Sequence, residues 1–404
     1  MMHQPVTRLF SKATLSMKHS FIREILKMTK GVSGMISFAG GLPSPDSFPK
    51  ERLAELFAEV ITEDGEDILQ YGPSEGDRRL KQAIIDAEAT NKPSSEEILI
   101  TVGSTNGIYF FTRTLIDPGD IVISEAPGFP GSLAAMEACG ARFVGIEMDD
   151  HGMLPDQLRA TLQTLLKKSE PVKFIYVIPE FQNPSGRTMD LNRRRAILEI
   201  ATEYDLPVLE DQPYRELRYD GEKIATLWEL ACSEFNDSKR VILCKSFSKI
   251  LGPGLRLGYV LGSPEVIMPM VMWAQKITVS PDCATQRVAA RFIEKGYIGD
   301  QISNIINLYR PRRNAMLDAL QTHMPDGVRW TEPEGGMFIW MTFDEKVDTD
   351  RLLERALENK VAFIPGSKFY PEGNSKRNEL RLNFSYSDVD LIHEGIQRLA
   401  GLIH

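Results

Sequence analysis

The sequence predicts an α/β fold: a large, mostly parallel sheet covered by helices, with a smaller α+β domain beside it. Three observations carry that prediction. Between about Leu99 and Leu261, short apolar runs alternate with helical patterns, as successive β–α–β units require. Beyond Ile298 the chain changes character, with one long helical stretch followed by strand-like runs at Met337–Met341 and Glu379–Asn383. At 404 residues with 42% hydrophobic content, the chain can bury a large core and divide into more than one domain.

The elements follow in order. Residues 1–45 are expected to form an N-terminal arm and a helix that join the smaller domain. The arm carries Arg8, Lys12, Lys18 and Arg23 with no acid before Glu24, and it lacks the apolar stretch of a secretion signal. A transit peptide has a similar composition, but a short arm is the plainer reading. Residues 46–295 form the large domain. Its strands are read at Ile98–Thr101, Ile121–Ser124, Phe143–Ile146, Phe174–Ile178, Pro207–Leu209, Val241–Leu243 and Leu257–Leu261, a sheet of the seven-stranded type. Residues 296–404 supply an interdomain helix, from about Ile298 to His323, and the rest of the small domain. Pro311 lies inside that helix, where a kink or break is expected.

Composition narrows the function. A net charge of -9 argues against nucleic acid as a partner. No run approaches eighteen apolar residues, so no membrane span is expected. The four cysteines, Cys139, Cys232, Cys244 and Cys283, follow neither a CxxC nor a disulfide spacing, which suits a reducing cytoplasm. Six scattered histidines give no metal-ligand pattern, and no metal is expected.

The chemistry gathers at the ends of the predicted strands, where open α/β sheets bind their ligands. Ser246-Phe-Ser-Lys249 is followed seven residues later by Arg256 in Gly-Pro-Gly-Leu-Arg-Leu-Gly. An amine, two hydroxyls and a guanidinium in one loop suit a cofactor bearing both an aldehyde and a phosphate, as pyridoxal 5'-phosphate does. Asp211, after Leu206-Pro-Val-Leu209, would need a cation once desolvated, and a protonated pyridine nitrogen supplies one. Tyr214 and Asn183 would donate to the ring oxygen. Gly103-Ser104-Thr105 opens a helix after a strand, and its N–H groups and hydroxyls form an anion site. Phe129 is a candidate to stack on the ring. Arg381 sits in the alternating strand Leu380–Phe384 and could clamp a carboxylate, although by spacing alone it reads as a surface arginine in a salt bridge. Taken singly, most of these motifs are ordinary turns and caps. Their common order along one chain argues for a site.

The motifs Phe38-Ala-Gly-Gly-Leu-Pro43, Gln70-Tyr-Gly72, Gly103-Ser-Thr-Asn106, Phe181-Gln-Asn-Pro-Ser-Gly186, Asp211-x-x-Tyr214, Ser246-Phe-Ser-Lys249 and Arg256-x-Gly258 resemble those of class I pyridoxal-phosphate aminotransferases of fold type I. Within them the chain looks like the group containing 2-aminoadipate and kynurenine aminotransferases, from about Phe21 to the C-terminus. The resemblance implies Lys249 as the Schiff-base residue, Asp211 as the pyridinium partner, Asn183 and Tyr214 as ring-oxygen donors, and Arg381 as the α-carboxylate clamp. It further implies Gly41 beside that carboxylate, and Tyr71 reaching the phosphate of a neighbouring subunit in a homodimer. Ser20 and Arg23 match a helix that helps recognise substrate side chains; Arg23 could equally be a surface residue beside Glu24. Relatives often carry Tyr where this chain has Phe129, so ring stacking is expected without a phenol contact. The implied activity is ping-pong transfer of an amino group from an α-amino acid to a 2-oxo acid, with 2-oxoglutarate the expected acceptor. Elimination or decarboxylation would use the same lysine and aspartate. A sensor built on this fold would need a DNA-binding region ahead of the Gly-Gly-Leu-Pro segment, and the roughly forty residues there show no such pattern.

Overall fold

Alternate residues of the central strands feed two different cores. Ile123, Ile175, Val177, Val208, Val241 and Leu243 join one apolar cluster, while Val122, Phe174, Tyr176, Leu209, Ile242 and Cys244 join another. A strand buried on both faces reads as a continuous apolar run, which is why these segments are legible as strands in the sequence. The computed structural model describes residues 6–17, 19–88, 91–371 and 375–403. Residues 1–5 and 18 of the expected arm therefore lie outside the described residues.

In chain order the strands are β1 (Ile36–Ser37), β2 (Ile98–Thr101), β3 (Ile121–Ala126), β4 (Arg142–Asp149), β5 (Gly152–Met153), β6 (Val172–Val177) and β7 (Val208–Gln212). They continue with β8 (Val241–Ser246), β9 (Gly258–Leu261), β10 (Arg329–Trp330), β11 (Phe338–Thr342), β12 (Val361–Ala362), β13 (Ile364–Pro365) and β14 (Glu379–Asn383). The large sheet runs β2-β9-β8-β7-β6-β3-β4-β5. Its centre, β8-β7-β6-β3-β4, is parallel. β9 is antiparallel to both β2 and β8, and the two-residue β5 adds an antiparallel edge to the expected seven strands. A four-stranded antiparallel sheet, β10-β11-β14-β13, forms the second layer system, and β1 pairs parallel with β12. The N-terminal segment thus packs with the C-terminal one: Ile36 and Phe38 share a core with Phe338, Val361 and Leu382.

The helix Tyr297–His323 continues through Pro311, so the expected interruption is not a break. Tertiary bonds on both sides of the proline hold the turn. Tyr309 accepts at its hydroxyl from the Ser44 N–H at 2.9 Å, Arg312 donates to Ser385 O at 2.6 Å, and Arg313 donates to Pro333 O at 2.6 Å. Among the described residues no helix is long and apolar enough to cross a membrane, and no group of three or more His, Cys, Asp or Glu is arranged to hold a metal.

Candidate active site

Asp211 lies near the carboxyl end of β7, on the strand face that also carries Leu209, and its register partner on β8 is Cys244. It is 2% exposed. Tyr176 pairs with Leu209 from β6, so its side chain emerges on the same face, one diagonal step from Asp211. Its hydroxyl donates to Asp211 Oδ2 at 2.9 Å, and Ser132, from the helix Pro130–Glu137, donates to the same oxygen at 3.3 Å. Oδ1 is buried and has no partner. Burial pushes the carboxyl up to about 6, a rise opposed by the Tyr176 and Ser132 bonds.

Lys249 follows β8 in the turn after Ser246. Its Nζ donates to Gly41 O at 2.8 Å and lies 6.0 Å from the centre of the Tyr214 ring. Burial, with the nearby Arg381 charge, pushes its amine down to about 8. A lysine in this state is a usable base near neutral pH.

Arg381, expected from its spacing to lie at the surface, is only 1% exposed. Strand β14 is buried throughout, and its side chain extends over the Phe338 ring at 4.3 Å and towards Phe369 at 5.0 Å. Nη1 donates to Asn183 Oδ1 at 2.8 Å and Nη2 to Ala39 O at 2.7 Å, while Nε is buried without a partner. Burial lowers its pKa to about 10. A cation held by neutral oxygens alone is poised for an anion. Asn183 in turn donates from Nδ2 to the Tyr214 hydroxyl at 3.3 Å. Burial raises the Tyr214 phenol above its ordinary value, so it remains a hydrogen-bond donor.

The remaining basic group, Arg256, stands beside the turn at Gly103. Gly103 has φ 75 and precedes the helix Ser104–Leu115, whose start takes no side-chain cap. Such a start leaves backbone N–H groups available to an anion. Arg256 donates to Val102 O at 3.2 Å, and a Cβ on Gly103 would come within 2.7 Å of its Nη2. Arg256 itself adopts φ 48, ψ 49, the left-handed region. On the other side Gly258 packs against the same turn, where a Cβ would meet Ser104 N at 2.8 Å and Lys245 O at 2.7 Å. Ser246 Oγ accepts from the Ser248 N–H at 3.2 Å, tightening the lysine loop.

Direct contacts therefore join Lys249, Gly41, Tyr214, Asn183 and Arg381 into one group, and Arg256, Gly103 and Ser104 into another. Asp211, with Tyr176 and Ser132, forms a third. Phe129 is half-buried at the start of the helix that carries Ser132, and Thr105 is exposed. Tyr71 is 82% exposed. Ser20 caps the helix Phe21–Thr29, accepting from the Arg23 N–H at 3.5 Å, and Arg23 projects from the exposed face. Sequence reading missed Tyr176 and Ser132. A tyrosine inside a fully buried run was the available signal, since its hydroxyl must find a partner there.

These features fit pyridoxal 5'-phosphate. The orphaned Asp211 Oδ1 suits a protonated ring nitrogen, the uncapped helix start beside Arg256 suits a phosphate, and the lowered Lys249 amine suits an aldehyde.

Known proteins resemble this chain along nearly its whole length. The family described as aminotransferase class I and II matches residues 34–399. Aromatic-amino-acid aminotransferase 1 of Thermococcus litoralis is 42% identical over 399 residues, covering 98% of this chain and 94% of the relative. The crystal structure of Pyrococcus horikoshii kynurenine aminotransferase, a complex with PMP, superposes with a TM-score of 0.93 at 41% identity, covering 98% of this chain and 97% of that one. The α-aminoadipate aminotransferase of Thermus thermophilus, solved with N-(5'-phosphopyridoxyl)-L-leucine, gives 0.89 at 35% identity, covering 99% and 98%.

Proposed function

Since the chain belongs to the class I and II aminotransferases and is a pyridoxal-phosphate-dependent transaminase, we propose that it moves the amino group of aromatic, kynurenine-like, 2-aminoadipate, glutamate or branched-chain amino acids to 2-oxoglutarate by a ping-pong mechanism. One observation carries this reading. Arg381 is a buried cation held by neutral oxygens, close enough to Lys249 to depress its amine. A carboxylate clamp beside a base is what proton removal from the α-carbon of an amino acid needs.

When bound, the cofactor supplies an electron-accepting ring that stores the charge left at the substrate Cα. The residues of the chain do the rest. Lys249 would hold the cofactor and, once free, take the Cα proton at Nζ. Asp211 would face the ring nitrogen with Oδ1; Asn183 and Tyr214 would donate to the ring oxygen. Ser104, Thr105, Ser246, Ser248 and Arg256 would grip the phosphate, with Phe129 stacked on the ring. Arg381 and Gly41 would seat the α-carboxylate, and Ser20 and Arg23 would meet the substrate side chain. The names of the relatives support the substrate range: one acts on aromatic amino acids, one on kynurenine and one on α-aminoadipate.

Residues 46–295 are read as the cofactor domain, with 1–45 and 296–404 as the smaller one; the shared apolar cluster of Ile36, Phe38, Phe338 and Leu382 supports that division. A homodimer in which Tyr71 enters the neighbouring site is supported by the exposure of Leu69 at 77%, Tyr71 at 82% and Val279 at 51%. The free thiols suit the cytoplasm.

The test is the absorption spectrum of the protein with pyridoxal 5'-phosphate, followed on adding glutamate, 2-aminoadipate, leucine, tyrosine, kynurenine or alanine. Conversion to the pyridoxamine form is expected, and the ranking of rates identifies the preferred donor. No conversion by any of them rejects the assignment.

A further inference from the structure

We propose that Tyr176 and Ser132 are positioning residues that fix which oxygen of Asp211 meets the cofactor, and that hold this carboxylate ionised; the proposal rests on the reading of Asp211 given above. Both hydroxyls converge on Oδ2, at 2.9 and 3.3 Å, and none reaches Oδ1. The two donors come from different elements, strand β6 and the helix Pro130–Glu137, so the carboxylate is clamped from two directions. A carboxylate bonded through one oxygen cannot rotate freely, and its bare oxygen keeps a single direction.

The clamp also decides the charge. Other groups near Asp211 that bear on its titration are Glu125 from β3, Cys244 from β8 and Tyr214 just beyond β7. Burial pushes Glu125 up to about 8, so it is mainly neutral near pH 7, and it accepts from the Ile178 N–H at 3.0 Å. Cys244 and Tyr214 are likewise raised and stay protonated. Asp211 is thus the anion of the pocket, kept so by two neutral donors against the cost of burial. Tyr176 is itself raised well above the ordinary phenol value, so it donates throughout the working range.

The experiment compares Tyr176→Phe, Ser132→Ala and the double variant with the wild type. Cofactor-free protein is titrated with pyridoxal 5'-phosphate across pH 5 to 9, alongside thermal melting of the cofactor-free protein and steady-state kinetics. Loss of a hydroxyl that bonds the carboxylate raises its pKa, so the pH below which affinity falls should move up by about one unit in Tyr176→Phe. That shift lowers affinity about tenfold near pH 5 and about twofold at pH 7, and kcat should fall while KM for the amino acid holds. A purely structural role would lower the melting temperature and leave the pH midpoint in place, and that result overturns the proposal. Should Tyr176→Phe not fold, Ser132→Ala carries the same expectation at smaller amplitude, and an unmoved midpoint there overturns it equally. A wild-type protein that binds no pyridoxal 5'-phosphate rejects the functional assignment, and the proposal with it.

Discussion

Arg381 fixes the orientation of Asn183. A guanidinium only donates, so the amide must turn its oxygen to Nη1, at 2.8 Å, and its Nδ2 to the Tyr214 hydroxyl, at 3.3 Å. The residue expected to bind the substrate carboxylate therefore also sets the direction of a donor expected to serve the cofactor. The expected substrate and cofactor sites would then share one hydrogen-bond chain.

Replacing Arg381 by Lys should expose that sharing. Lysine cannot span both Asn183 and Ala39, nor fill the planar gap between Phe338 and Phe369. KM for the amino acid should rise about 30- to 100-fold, a loss of roughly 2–3 kcal/mol for a buried charge-assisted contact. Steady-state kinetics check this, and an unchanged KM would remove Arg381 from the substrate site.

Lys249→Ala should leave a folded protein with no turnover. Its pH behaviour offers a second check. The amine sits near 8 in the folded chain, below its ordinary value of 10.5, so the unfolded state binds the extra proton between those limits. Stability due to this residue is lowest below pH 8 and rises as pH increases towards 10.5. Lys249→Met should therefore exceed the wild type in melting temperature most at pH 7, and the gap should close by about pH 10. A gap that stays constant with pH contradicts the assignment of a depressed amine.

Gly258→Ala should damage the expected phosphate site without removing any polar group. The added methyl would press on Ser104 N at 2.8 Å and Gly103 C at 2.9 Å, both backbone atoms with little room to yield. Displacing that turn should weaken pyridoxal 5'-phosphate binding by about tenfold or more, since phosphate-binding amides work only in register. Equilibrium titration of the cofactor-free protein measures it.

Glu180→Gln addresses stability. Glu180 and Arg194 are an ion pair whose side chains are 1% and 0% exposed, joined by two bonds of 3.2 Å, and Arg215 also donates to the same carboxylate. Neutralising it strands buried guanidinium groups and should cost about 3–5 kcal/mol. Chemical denaturation should show an earlier midpoint with an unchanged slope.

Much of this site is legible in the sequence because its residues close apolar runs. Asp211, Asn183 and Lys249 each follow a segment too hydrophobic to be anything but interior, so their polarity stands out. Tyr176 stays hidden for the opposite reason. It lies within such a run, where an aromatic ring reads as core, and only the register of β6 against β7 reveals that its hydroxyl faces Asp211. Spacing alone places Arg381 at the surface, because alternation in a strand normally signals one wet face, whereas β14 is covered on both. The uninterrupted helix through Pro311 depends on contacts from Ser44, Ser385 and Pro333, distant in the chain and invisible to local pattern.

The left-handed backbone of Arg256 sets two selective pressures against each other. A non-glycine residue in that conformation costs about 1–3 kcal/mol, which a glycine there would largely recover. Selection for heat resistance alone would thus favour losing the arginine, and selection for cofactor retention would favour keeping it. A population of thermostabilised variants screened without regard to activity should accumulate changes at position 256, marking as dispensable to folding the residue expected to hold the phosphate.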